Sequence, residues 1–115
     1  MSSSAPDVER EFDRAMLQVY KDARDQAGYN AVRFLSMLAD GGGLETARTL
    51  LHASTVSDGY TALWERQRLD LTVEAVILDQ RWRPLFTDAE RAIARKRLRD
   101  YGFTGDVYEE HNGES

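Results

Sequence analysis

A chain of 115 residues is long enough for one hydrophobic core and buries roughly 65% of the surface its unfolded form exposes. Twenty acidic against fifteen basic residues give a net charge of −5, and there is no cysteine. These facts exclude disulfide scaffolds, thiolate zinc sites and cysteine nucleophiles, and they place generic nucleic-acid binding, which needs positive potential, behind other readings.

The N-terminal stretch MSSSAPD is polar and lacks the apolar core of a secretory signal, and no apolar run approaches a membrane span. A cytoplasmic, bacterial protein with no membrane partner is expected. Residues 1–6 read as a disordered leader, 7–103 as a single helical domain and 104–115 as an acidic disordered tail.

The first predicted helix runs from about Asp7 to Gln26, because Phe12, Met16, Val19, Tyr20 and Ala23 form an apolar stripe at helical spacing, and Gly28 ends it. The second, about Asn30 to Ala39, takes Asn30 as its cap and carries Ala31, Phe34, Leu35 and Leu38 on one face. Gly41-Gly42-Gly43 must break it, and the third helix covers about Leu44 to Ala53. Ser57 or Asp58 caps a short helix through Trp64 and Arg66, with Leu63 and Trp64 directed to the core. Arg68 to Gln80 reads two ways. Leu69, Leu71 and Val73 alternate like a strand, whereas Val73, Val76 and Ile77 suit a helix capped by Asp70 or Thr72. Helix is preferred, since no second strand exists for pairing. Arg81 to Phe86 is a turn containing Pro84.

Thr87 to Gly102 is the most informative stretch. Thr87 and Glu90 make a capping box, Asp88 complements the helix dipole, and Gly102 suits the left-handed position after the last turn. Arg91, Arg95 and Arg99 recur every four residues as one positive stripe, opposite Ile93, Ala94, Leu98 and Tyr101. From Arg81 to Arg99 seven basic residues outnumber Asp88 and Glu90. From Asp100 onward there are five acids and no Lys or Arg. The fold expected is therefore all-α, a compact bundle of five or six short helices with flexible tails.

No constellation for catalysis, metal or cofactor stands out. There are two histidines, His52 and His111, and neither an HExxH pattern, a phosphate loop nor a nucleophile elbow. His52 is expected to serve the C-terminus of its helix rather than chemistry. The glycine run suggests a flexible connection more than an anion cradle. Glu9/Asp13 and Asp22/Asp25 sit among Arg10, Arg14, Lys21 and Arg24, as on a solvated, ion-paired helix face.

The parts Asp58-Gly59-Tyr60, Leu63-Trp64, Leu71-Thr72-Val73-Glu74-Ala75, Leu85-Phe86-Thr87, Ala94-Arg95 and Arg97-Leu98 lie within Ser57–Phe103. This segment resembles a recurring module of small bacterial proteins with no assigned activity. The resemblance implies a stand-alone helical module in a mobile-element or phage-related setting, and it transfers no catalytic residue.

Taken together, these features lead to a non-enzymatic protein-interaction module that docks an arginine-bearing helical surface onto a protein partner. Arg91, Arg95 and Arg99 would steer, with Arg81, Trp82 and Arg83 as the nearby anchor. For Trp82 a place in the core with Leu85 and Phe86 is the stronger competitor. An acidic inhibitor of a nucleic-acid-processing complex and direct nucleic-acid binding through Arg81–Arg99 are the alternatives. Homodimerisation through the first helix is compatible with each.

Overall fold

The computed structural model describes residues 5–103, and the expectations for the leader before Ala5 and for the acidic tail lie outside them. The elements in chain order are α1 (Ala5–Ala27), α2 (Val32–His52), α3 (Asp58–Glu65), α4 (Val73–Ile77) and α5 (Asp88–Asp100). Short 3₁₀ turns at Leu69–Leu71 and Gln80–Leu85 precede α4 and α5. Among the described residues there is no strand, so the architecture is all-α.

α1 begins earlier than its apolar stripe requires, and Pro6 falls in the first turn, where a missing N–H costs no hydrogen bond. Four residues of its stripe are buried as the spacing demands, Phe12, Met16, Val19 and Ala23 each being under one-tenth exposed, while Tyr20 is half-buried at the edge. One core cluster draws on every helix, with Phe12 and Met16 from α1, Ala47 and Leu51 from α2, Tyr60 from α3, Ile77 from α4 and Leu98 from α5. Phe12 is its aromatic centre, edge-on to Trp82 at 5.2 Å and to Phe86 at 5.4 Å between centroids. Such pairs add about 0.5–1.5 kcal/mol beyond their buried area. A smaller cluster of Ala23, Leu63 and Leu71 closes the far end of α1.

The glycine run breaks α2 without loosening it. Gly42 has φ 83° and ψ 176°, which divides the helix into a first arm (32–41) and a second arm (43–52). Asp13 reaches across from α1, and its Oδ1 accepts the Gly43 N–H at 2.7 Å. This carboxylate caps the second arm from another helix, so the expected flexible connection is instead a packed corner. Gly43 is buried, and a Cβ there would lie 2.8 Å from Asp13 Oδ1 and 3.2 Å from the Asp13 Cα. Asn30 does not cap the first arm, whose N-cap position is Ala31 with no side-chain bond. Asn30 Oδ1 accepts from the Tyr20 hydroxyl at 2.6 Å instead.

Local signals set the remaining caps. Ser57 Oγ accepts from the Tyr60 amide, Thr72 Oγ1 from the Ala75 amide and Asp79 Oδ1 from the Arg81 amide. The segment 68–80 is thus a 3₁₀ turn followed by a Thr72-capped helix, in line with the preference for helix. Both arms of the α5 capping box form, at 3.0 and 2.9 Å. Gly102 takes φ 82°, and the Phe103 N–H closes the helix end on Leu98 O at 2.9 Å. Trp64 corrects the expectation for α3: it is 44% exposed, while Leu63 and Tyr60 are buried. Tyr60 and Leu63 fill the inward face of this two-turn helix, which leaves the next position at its edge.

Gly43→Ala is expected to lower stability by about 1–3 kcal/mol through backbone displacement at the corner. Asp13→Ala should cost about 1 kcal/mol, the loss of a cap. Urea denaturation of both variants checks this, and an unchanged midpoint for Gly43→Ala would remove the close approach as a determinant of the corner.

Candidate functional site

The two arms of α2 differ in how they are held. The second arm ends against α5, where the Arg97 guanidinium takes over the helix's terminal carbonyls. Its Nη1 donates to Leu50 O at 2.9 Å and to Glu74 Oε2 at 3.0 Å, and its Nη2 donates to Leu51 O at 3.2 Å and Ala53 O at 2.7 Å. All four terminal N–H groups are thereby used, and the cation stands where the helix dipole favours it. Glu74 and Arg97 form a buried ion pair, with side chains 4% and 13% exposed. Burial pushes the Glu74 carboxyl above its ordinary value, against its own amide and the Arg97 charge, which pull it down.

His52 does not bond the carbonyls of its own helix end. Its Nε2 meets Glu90 Oε2 at 2.9 Å, and Arg48 Nε lies 3.5 Å from the same oxygen. Glu90 therefore serves the α5 capping box with one oxygen and the α2 side chains with the other. Burial raises its carboxyl, but the Thr87 amide, His52 and Arg48 outweigh that and hold it below the ordinary 4.5.

The residues expected to contact a partner separate into two groups. Arg81, Arg83 and Arg99 are exposed, and Arg95 is half-buried. Trp82 and Arg91 are only 2% and 1% exposed. The single stripe is therefore not formed, because Arg91 lies on the same side of α5 as Ala94 and Leu98 and is carried inward with them. Trp82 takes the core position, edge-on to Phe12, and its ring is the platform on which Arg81 stacks at 4.5 Å. Arg81 also lies 3.8 Å from Glu11 of α1. Trp82 thus holds Arg81 in place rather than reaching outward itself.

The first arm of α2 roofs a cavity of about 520 Å³ between α1, α3 and α4. Val19, Phe34, Met37, Leu50, Val56 and Val73 give apolar walls; Tyr60, Thr72 and Glu74 are the buried polar lining, and Tyr29, Asn30, Thr49, Thr55 and Ser57 line the cavity nearer the solvent. Thr72 is satisfied, donating to Leu69 O and accepting from the Ala75 amide. The Tyr60 hydroxyl is buried with no hydrogen-bond partner. Burial, with Glu74 and Tyr101 nearby, pushes the phenol upward, so it remains protonated. Across the mouth, Arg33 of the arm faces Asp58 of α3 at 3.7 Å, both almost fully exposed.

Sequence reasoning did not single out Arg97, Tyr60 or Glu74 for this cavity. One signal was available: Glu74 is the lone acid within the apolar run from Leu71 to Leu78, a pattern that demands a buried partner. Nothing local reveals that Arg97 is that partner, 23 residues away.

Among the described residues no three His, Asp or Glu side chains converge as a metal site, and no helix is long and apolar enough to cross a membrane. No known family model, curated protein or solved structure matches this chain, so the likeness of Ser57–Phe103 is not extended.

Two variants separate the roles in the buried pair. Arg97→Met should destabilise by about 3–5 kcal/mol, since it strands a buried carboxyl as well as three carbonyls. Glu74→Gln keeps an acceptor for Arg97 and should cost about 1 kcal/mol or less. Equal losses in thermal denaturation at pH 7 would contradict this asymmetry.

Glu90 supplies a pH dependence. Its folded pKa is depressed, so its stabilisation is complete above about pH 4.5 and fades as pH falls through the lower folded value. Glu90→Gln keeps the capping box but not the charge. Its deficit against wild type is expected to shrink between pH 5 and pH 3, as read by urea midpoints at each pH; a constant deficit would contradict it.

Proposed function

We propose that this chain is a non-catalytic, cytoplasmic bacterial interaction module that docks onto the acidic surface of a protein partner through its exposed arginines. The observation that carries the reading is the disposition of Arg81, stacked on the buried Trp82 ring yet open to solvent on its outer side. A guanidinium held on a rigid ring loses little freedom on binding, and it keeps a planar face of donors for a carboxylate. Arg83 beside it and Arg99 on α5 are exposed and carry no ion partner among the described residues. Arg95 stands one turn from Arg99 on the flank of α5 away from Arg97 and Tyr101.

On this reading the exposed Arg81, Arg83 and Arg99 steer and hold the partner with the half-buried Arg95 beside them, while Trp82 and Arg91 act from inside the core. The chain's overall negative charge favours a protein with a local acidic patch over a polyanion such as nucleic acid, which the rest of the surface repels.

The test compares wild type with Arg81→Glu/Arg83→Glu and Arg95→Glu/Arg99→Glu, each shown folded by circular dichroism. Protein and nucleic acid retained from host lysate are identified, and association kinetics are then measured with the purified partner. A protein partner whose association slows about ten-fold in the reversal variants, with a flatter salt dependence, supports the reading. Unchanged kinetics in both variants, or retention of nucleic acid alone, overturns it.

A further inference from the structure

We infer that the cavity beneath the first arm of α2 binds a small, uncharged, largely apolar molecule carrying one oxygen that accepts a hydrogen bond from Tyr60. This inference does not rest on the docking reading, since the cavity and the exposed arginines are separate features. Three observations carry it: the size and walls of the cavity, the state of its polar lining, and the way its roof is attached.

A volume of about 520 Å³ with walls of Val19, Phe34, Met37, Leu50, Val56 and Val73 fits a compact apolar body, within the range of roughly 300–1,000 Å³ typical of small-molecule sites. The polar lining determines what that body carries. Tyr60 is 2% exposed, lines the cavity and holds a protonated hydroxyl that no group among the described residues accepts. A buried donor left unmade is costly, and native structures rarely keep one without a use. Thr72 has both its bonds, so it offers nothing further.

The same lining excludes charge on the ligand. An anionic group would need a free cation, but Arg97 spends its four terminal N–H groups on Leu50, Leu51, Ala53 and Glu74. A cationic group would have to compete with Arg97 for Glu74 inside a low-dielectric floor. At the mouth Arg33 and Asp58 oppose one another, so the rim selects neither sign. In the buried part of the cavity what remains for recognition is the one neutral hydrogen bond of Tyr60, set among apolar walls.

The roof is built to admit such a molecule. The first arm leaves the rest of α2 at Gly42, φ 83°, a residue that tolerates left-handed backbone, and its other end at Ala31 has no side-chain cap. Its link to α3, the Arg33–Asp58 pair, is almost fully exposed, and exposed pairs contribute little. The Tyr60 hydroxyl is closed off from water, so a ligand in the cavity reaches it by a local displacement of the lining.

The test titrates the full chain with 1-octanol, octanoate and octylammonium, read by amide chemical shifts and thermal unfolding. Saturable shifts confined to residues 32–41, 56–60 and 72–74 are expected with octanol, together with a raised Tm. Octanoate and octylammonium should bind at least ten-fold more weakly. Tyr60→Phe keeps the ring and should weaken octanol binding roughly three- to ten-fold, the worth of one neutral hydrogen bond. Met37→Trp, which fills the cavity and leaves Tyr60 in place, should abolish it. Absence of saturable shifts with octanol, equal affinity for octanoate, or an unaltered affinity in Tyr60→Phe each overturns the inference. Shifts seen only with a protein partner overturn it too, assigning the cavity to that partner's side chains.

Discussion

The fold turns on where the Arg97 guanidinium sits. A helix end leaves backbone carbonyls without partners, and the second arm of α2 ends against α5. Arg97 resolves this from α5, serving Leu50, Leu51 and Ala53 with one planar group, while Glu74 from α4 balances its charge. Three helices are thereby pinned at one point. The pinning has a cost, because Glu74 is held where its ionised form is disfavoured. The Glu74 amide and the Arg97 charge relieve part of that cost, and the carbonyl bonds at a helix C-terminus stabilise the Arg97 cation.

From that point the structure divides into parts of unequal restraint. The second arm of α2 is held at both ends, by Asp13 at its start and by Arg97 at its finish, with His52 and Arg48 adding contacts to Glu90. The first arm has neither device. It has no side-chain cap, it is joined through Gly42, and it faces α3 across an exposed ion pair. The cavity lies on the lightly held side, and its lining is contributed by the same α4 residue that anchors the tightly held side. The structure thus joins a firmly held core to a cavity whose cover is fixed by fewer directional contacts, with Phe34 and Leu38 packing it onto the core.

Arginine is used in three distinct ways here. Arg97 is an internal cap, Arg91 is carried inside with the apolar face of α5, and Arg81, Arg83 and Arg99 remain on the surface. Arg48 joins the first use, donating to Leu85 O at 2.7 Å and closing the chain between α2 and the second 3₁₀ turn. The abundance of arginine over lysine therefore has a structural reason beside any recognition role, since a planar fork satisfies several carbonyls at once.

Much of the fold was legible residue by residue. The stripe of Phe12, Met16, Val19 and Ala23, the Ser57, Thr72 and Thr87 caps, the capping-box Glu90 and the left-handed Gly102 are all local patterns. They depend on spacing and on the conformational range of single residues, which the chain carries with it. What the sequence alone did not determine was the facing of elements across the core. The helix spacing that made Arg91, Arg95 and Arg99 a stripe is real, but α5 is rotated so that Arg91 enters the interior. That rotation is set by how Ala94 and Leu98 pack against the other helices. Trp64 was turned outward for the same reason, and Asp13 found Gly43 across thirty residues of chain. Periodicity specifies that a helix has a face. Only the packing of several helices together decides which polar residues that face takes inside and which partners they meet there.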